Sequence, residues 1–186
     1  MLARKEAWEL VQEWTDSERL RIHALAVEAV MRDFAAQYGQ NEDLFGLTGL
    51  LHDADYDRWP EEHPKRITDW LAERGETEIA KAIQAHCPDS GGLRDTLLAI
   101  ALVASDEIAG FVIACALVRP ERTEGLKPKS IQKKLKSPAF AAGVDRNEVA
   151  EGFRLIGEAV GGTADEHIQR IISAIHQHRS ELHLLP

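Results

Sequence analysis

The sequence contains little that would support a disulfide-stapled or exported protein. Its 186 residues include two cysteines, Cys87 and Cys115, a number too small for a disulfide framework and typical of a reducing compartment. The N-terminal segment MLARKEAWELVQEW interrupts its apolar residues with acids and tryptophans, whereas a signal peptide needs an unbroken apolar run. We therefore expect a cytoplasmic location.

Positive charge is also scarce. The 22 lysines and arginines are outnumbered by 31 aspartates and glutamates, which gives a net charge of −9 at pH 7. We do not expect nucleic acid as a partner, because binding to its phosphates requires an excess of basic side chains. The exception is the segment from Arg119 to Lys136, which carries +5 and leaves −14 for the remainder. Such a segment is usually a solvated surface, and alternatively it guides a small anionic substrate.

One apolar run is long enough to cross a bilayer and needs a separate argument. The 22 residues from Leu97 to Val118 have Asp106 and Glu107 as their only charged side chains. Two adjacent carboxylates in the middle of a membrane span would be costly, and no aromatic belt flanks the run. We therefore interpret the run as one long buried helix and expect no membrane partner.

The periodicity of the apolar residues is helical throughout, and we find no convincing period-two alternation. It predicts an all-α fold with a single domain over residues 1–186. Residues 17–119 are expected to form its core and residues 120–186 a helical C-terminal extension. The predicted helices cover about 5–14, 18–38, 42–52, a segment from between Pro60 and Pro64 to Gly75, 76–86, 97–118, 130–142, 147–160 and 163–180.

The most informative residues are polar side chains on helix faces that are otherwise apolar. They come from five predicted helices and are His23, His52, Asp53, His63, His86 and Asp106. Any one of these histidines alone is more often a hydrogen-bonded core residue than a metal ligand. An unpaired carboxylate in a buried helix, however, costs several kcal/mol and needs a cation. Imidazoles and carboxylates together suit Fe, Mn, Co, Ni or Zn.

The order of these residues resembles a known family. The segments RIHALAVEAV, GLTGLLHDAD and ALVASDEIAG, between Leu20 and Gly110, resemble the HD superfamily of metal-dependent phosphohydrolases. The resemblance implies an HD-domain helical bundle with one or two divalent transition metal ions as cofactors. It implies a first ion on His23, His52, Asp53 and Asp106, and a second on Asp53, His63 and His86. The implied reaction is hydrolysis of a phosphate ester or nucleotide anhydride by a metal-bound hydroxide.

Further residues are candidates for roles beside the metals. Asp55 and Asp57 are more often part of an exposed turn, but such residues can also orient water or protonate a leaving group. The candidate catalytic residues are therefore Asp53 and Asp57. For substrate phosphate, Arg119, Lys129 and Lys133 are candidates within a segment whose more frequent role is a solvated connector.

Other features are interpreted as having no role in chemistry. Cys87 is taken as a buried bystander because no separate base is paired with it. The C-terminal histidines are taken as surface residues: His167, His176, His178 and His183. Gly46 and Gly49 are expected to let another backbone approach the helix that ends at His52.

Two other functions remain open at this level. Proteins resembling myo-inositol oxygenase use a comparable two-iron site with dioxygen, and His63 and His86 suit either chemistry. A nucleotide- or phosphate-binding regulatory module that keeps its metal without turnover is the second alternative. The expected partner is a small phosphorylated or nucleotide substrate, and a homo-oligomer is left open.

Overall fold

The computed structural model describes residues 2–186, which form helices and turns with no strand among them. Two short 3₁₀ helices, Pro60–Glu62 and Pro88–Ser90, lie between the longer elements. The α-helices are α1 (Arg4–Trp14), α2 (Glu18–Gln37), α3 (Glu42–Leu51), α4 (Lys65–Glu73), α5 (Thr77–His86), α6 (Leu97–Val103), α7 (Asp106–Leu117), α8 (Pro128–Leu135), α9 (Arg146–Val160) and α10 (Ala164–Gln177). The predicted all-α fold class is confirmed.

The helix starts follow from local capping residues. The Ser17 hydroxyl accepts a hydrogen bond from the amide of Leu20 and begins α2. Asn41 accepts from the amides of residues 43 and 44 and begins α3. At α10, Thr163 and Glu166 form the reciprocal capping box that the sequence predicts.

Helices α2 and α3 pack closely because Gly49 has no side chain. A Cβ atom at this position would lie 2.8 Å from the carbonyl oxygen of Val27, closer than real contacts allow. The predicted approach of a second backbone is thus confirmed at Gly49, whereas at Gly46 the neighbouring group is the Arg32 side chain. The close packing at Gly49 holds two of the predicted metal ligands side by side: His23 on α2 and His52 at the end of α3.

The long helix predicted over residues 97–118 is wrong in one respect, since it is broken into α6 and α7. The break is a tightened turn in which the amide of Ser105 donates to the carbonyl of Leu102 (3.0 Å) and its hydroxyl to that of Ala101 (2.6 Å). Helix α9 covers the turn at Gly152, where a Cβ would lie 2.8 Å from the Cα of Ala104. As a result Asp106 lies in the first turn of α7, where the helix dipole stabilises a carboxylate.

Residues 97–117 lie mostly inside the fold. They are long and apolar enough to span a membrane by composition, yet 61% of their most apolar stretch is buried. Their buried side chains include Leu102, Ile108 and Phe111, which belong to the same hydrophobic core as Leu50 and Ile83. Residues 97–117 are therefore placed as core helices of the fold.

The C-terminal segment packs onto this core. Helix α10 contacts α2, α7, α8 and α9, and α9 lies against α6. Helix α8 ends at Leu135, seven residues before the predicted end, because Pro138 disfavours helical conformation in the residue before it. The expectation that the C-terminal histidines are all surface residues is also wrong, since His167 is only 5% exposed.

We predict that Gly49→Ala lowers the free energy of unfolding by about 1–3 kcal/mol, because the added methyl group must push α2 and α3 apart. Urea denaturation monitored by circular dichroism measures the change. Gly143→Ala is the matched control, since a Cβ there meets nothing within 4 Å, and it should change stability by less than about 0.5 kcal/mol. Equal stability of the two variants would show that the helices are not in limiting contact at Gly49.

Candidate metal centre

Four of the predicted ligands meet although they lie far apart in the sequence. His23 comes from α2, His52 and Asp53 from the end of α3, and Asp106 from the start of α7. The Asp106 Oδ1 atom lies 2.9 Å from His23 Nε2 and 3.2 Å from His52 Nε2. Asp53 Oδ2 lies 3.4 Å from His52 Nε2. One donor atom from each of the four residues lies within 4.8 Å of the others, a spacing that one cation can bridge.

A second group shares Asp53 with the first. The other carboxylate oxygen of Asp53, Oδ1, lies 3.4 Å from His63 Nε2 and 3.5 Å from His86 Nε2. The two Nε2 atoms are 3.3 Å apart. Asp53 therefore stands between the two groups with one oxygen toward each, as a carboxylate that bridges two ions would.

Two of the imidazole rings are fixed by backbone carbonyls at helix ends. His52 Nδ1 lies 2.8 Å from the carbonyl oxygen of Gly49, and His86 Nδ1 makes the same contact with Ile83. A carbonyl can only accept a hydrogen bond, so each Nδ1 carries the hydrogen and Nε2 faces the cluster. Both carbonyls belong to the last turn of their helix, where carbonyl groups generally lack an intrahelical partner, so the same bond also helps to complete the helix end.

Asp55 fixes the third ring, that of His63. The sequence favoured an exposed turn for Asp55, so this role was not predicted. Its side chain is 0% exposed, with Oδ1 2.6 Å from His63 Nδ1 and Oδ2 accepting a hydrogen bond from the amide of Ile67 (3.0 Å). His63 itself precedes α4 rather than belonging to it, which corrects the predicted alignment along that helix. Asp55 thus both orients His63 and caps the start of α4.

The charged side chains of the cluster stabilise one another. Burial acts against a charged ring, but the carboxylates of Asp53 and Asp106 raise the pKa of His52 well above its usual value. Burial likewise opposes ionisation of Asp53, yet His52 and His86 hold the pKa of this carboxyl well below its usual value. Against burial, Asp55 raises the pKa of His63 to about 9. The cluster is therefore held together by charge pairs that a bound cation can replace.

The donor set fits a divalent metal ion. The Nε2 atoms of His52, His63 and His86 are directed into the cluster by the bonds at their Nδ1 atoms, and Asp53 and Asp106 supply the negative charge. Neutral imidazoles with carboxylates are ligands for transition metals.

A cavity of about 920 Å³ opens onto the cluster and is lined by five of its side chains, those of His23, Asp53, His63, His86 and Asp106. Another wall is apolar and includes Leu20, Ile22, Val103, Ile113, Leu117 and Leu182. A substrate can therefore reach the cluster while its remaining part packs on hydrocarbon.

Two further cavity residues were not identified as functional from the sequence. Cys87 was interpreted as a buried bystander, but it is only half-buried and its Sγ lies 3.6 Å from His86 Nε2. Burial favours its neutral thiol, while hydrogen bonding to His63 and His86 lowers the pKa of Cys87 to about 7. Burial and the adjacent Asp106 carboxylate raise the pKa of Glu107 to about 7. Adjacency to a predicted ligand was the sequence signal available for both.

Asp57, the second candidate catalytic residue, lies away from the cavity lining. Its Oδ2 accepts hydrogen bonds from the amides of Asp16 and Ser17, both at 2.8 Å. This contact joins the loop after His52 to the start of α2. Its catalytic role stays a prediction, and the geometry assigns it the positioning of α2.

The three candidate substrate-binding bases also lie outside the cavity lining. Arg119 donates to the carbonyl oxygens of Arg122 (3.1 Å) and Glu124 (2.7 Å) and so closes the turn after α7. Lys129 and Lys133 are exposed on α8. Their binding role stays a prediction, without a contact to the cluster that would support it.

Comparison with known families agrees with this geometry. The family model of the HD domain matches residues 20–110, the segment on which the resemblance rested, so the resemblance is confirmed. Members of that family are typically metal-dependent phosphohydrolases. No curated protein and no solved structure gives a match to the chain.

We predict that Asp55→Asn weakens metal binding at the His63–His86 pair by about tenfold to a hundredfold. An asparagine can accept the hydrogen bond from His63 with its oxygen, but its NH₂ group then faces the amide donor of Ile67. Calorimetric titration of metal-free protein with Zn²⁺ measures the change.

Asp57→Asn is the matched control for this variant. A single oxygen of Asp57 accepts both of its hydrogen bonds, so an amide oxygen can replace it. Wild-type binding isotherms for Asp55→Asn would contradict the role assigned to Asp55.

Proposed function

We propose that this chain, which carries an HD domain over residues 20–110, is a metal-dependent phosphohydrolase that acts on a phosphate ester or nucleotide anhydride. One observation carries the proposal: the six side chains inferred as ligands from the sequence lie in two adjoining groups that share Asp53, and five of them line one cavity. The six are His23, His52, Asp53, His63, His86 and Asp106. The match to the family model supports the family, and the reaction of this chain is what we propose.

The side chains divide between two proposed ion positions. His23, His52, Asp53 and Asp106 would hold the first ion, and Asp53, His63 and His86 the second. When bound, such ions polarise a phosphoryl group and lower the pKa of water so that it can attack. Four neutral imidazoles and two carboxylates leave a pair of divalent ions with net positive charge, which suits an anionic substrate.

The charge of the cavity lining favours binding of a phosphate at the metal centre over the rest of the cavity. Outside the cluster, its lining contains the carboxylates of Glu18 and Asp145, the carboxyl group of Glu107, Glu148, which is ion-paired with Arg94 (2.6 Å), and the cation Arg19. A phosphate in such surroundings is repelled unless cations in the cluster attract it. We therefore assign recognition of the phosphoryl group to the metal centre itself rather than to the basic segment around Arg119.

The same lining favours a substrate with one phosphate and an apolar body. Each additional phosphate would bring negative charge against Glu18 or Asp145, whereas Ile22 and Ile113 offer hydrocarbon contact. A cavity of about 920 Å³ has room for a drug-sized organic group beside the phosphate. We therefore propose phosphate monoesters with an apolar organic group as the substrates.

We predict that metal analysis separates the two positions. His52→Ala should lose all bound metal, because His52 is 0% exposed and contacts both Asp53 and Asp106, and phosphatase activity should vanish. His63→Ala should lose only part of the metal. His178→Ala is the control for histidine removal, because His178 lies outside the cavity lining, and circular dichroism checks that each variant is folded.

Unchanged metal content in His52→Ala would defeat the assignment. Metal-dependent turnover of generic phosphate esters by the wild-type protein supports hydrolysis. Tight ligand binding without turnover would identify a binding module instead.

We predict a preference of about tenfold or more in kcat/KM for aryl or alkyl phosphate monoesters over ATP and diadenosine polyphosphates, equivalent to about 1.4 kcal/mol of transition-state binding. The preference should weaken as salt is added, because part of it is repulsion from cavity carboxylates. Faster hydrolysis of the polyphosphates at every salt concentration would overturn this choice of substrate.

A further inference from the structure

The thiol of Cys87 lies within the group formed by His63 and His86. Cys87 directly follows His86, the last residue of α5, and it lines the cavity. One donor atom each from His63, His86 and Cys87 lies within 4.8 Å of the others. Three metal-binding side chains, two imidazoles and one thiol, thus surround one small volume.

Several separations among these donors and Asp53 Oδ1 are close to those of a tetrahedral metal site. Bonds of about 2.0–2.1 Å to nitrogen or oxygen and about 2.3 Å to sulfur imply tetrahedral separations of about 3.3–3.4 Å between light donors and about 3.6 Å between sulfur and nitrogen. The two Nε2 atoms of His63 and His86 are 3.3 Å apart, and Asp53 Oδ1 lies 3.4 and 3.5 Å from them. Cys87 Sγ lies 3.6 Å from His86 Nε2 and 3.9 Å from His86 Nδ1, so the thiol stands beside the ring and a change of its side-chain rotamer would turn it toward the ion position.

We propose that the Cys87 thiolate is a fourth ligand of the second ion, beside Asp53, His63 and His86. The inference rests on the two-ion centre of the proposed function and deepens it. A thiolate in the ligand set selects Zn²⁺, Fe²⁺ or Co²⁺ over Mn²⁺ and Mg²⁺ at this position. It would hold the second ion with a coordination unlike that of the first, whose donors are nitrogen and oxygen alone.

Cobalt spectroscopy tests this ligand directly, without reference to turnover. Metal-free protein is titrated with Co²⁺ under anaerobic, reducing conditions, and bound cobalt is counted by elemental analysis. We expect a near-ultraviolet thiolate-to-cobalt charge-transfer band that saturates at one thiolate per chain. Cys87→Ser should lose the band while keeping the visible d–d absorption of the first ion, which also shows that the variant is folded.

Cys115→Ser is the matched control, because Cys115 is the other free thiol and is buried in α7. It should retain the charge-transfer band. In competition titrations, Cys87→Ser should lose Zn²⁺ affinity at the second position by about tenfold or more, with Mn²⁺ affinity nearly unchanged.

The outcomes separate this inference from the proposed function. Two cobalt ions bound per chain without a charge-transfer band overturns the Cys87 ligand and leaves the hydrolase proposal standing. A band that persists in Cys87→Ser also overturns it. Failure to bind cobalt at all overturns both the ligand and the two-ion centre.

Discussion

The structure depends on holding two half-buried carboxylates, Asp53 and Asp106, among imidazole rings where a helical bundle meets its cavity. Each carboxylate would be strongly destabilising alone, because a buried charge without a partner costs several kcal/mol. Here Asp106 contacts His23 and His52, and Asp53 contacts His52, His63 and His86. The close packing at Gly49 and the break before α7 both serve this arrangement, because they bring the helix ends that carry these groups together.

A second layer of contacts gives the rings their direction. His52 and His86 use carbonyls at the ends of their own helices, and His63 uses the buried Asp55. With each Nδ1 hydrogen committed, the Nε2 atoms converge on the cluster without further rearrangement. Asp55 also caps α4, so the orientation of one ligand is coupled to the formation of a helix.

The cavity separates two tasks that a phosphate-processing site must perform. The cluster provides the positions where positive charge can be placed, whereas the apolar wall around Ile22 and Ile113 can accept the organic part of a substrate. The acidic lining outside the cluster works against polyanions. The basic segment from Arg119 to Lys136 forms the turn after α7 and includes α8. Its candidate bases Arg119, Lys129 and Lys133 lie outside the cavity lining.

The sequence alone determined the helical fold class, the capped helix starts and the six residues that converge, because periodicity, capping and the order of histidines and aspartates are local properties of the chain. Only the tertiary structure decided that Asp55 is buried, that α9 at Gly152 covers the break between α6 and α7, and that Cys87 stands beside His86 Nε2. These features depend on contacts between segments distant in sequence. A turn rich in aspartate looks the same whether solvent or another helix covers it, and only packing makes the choice.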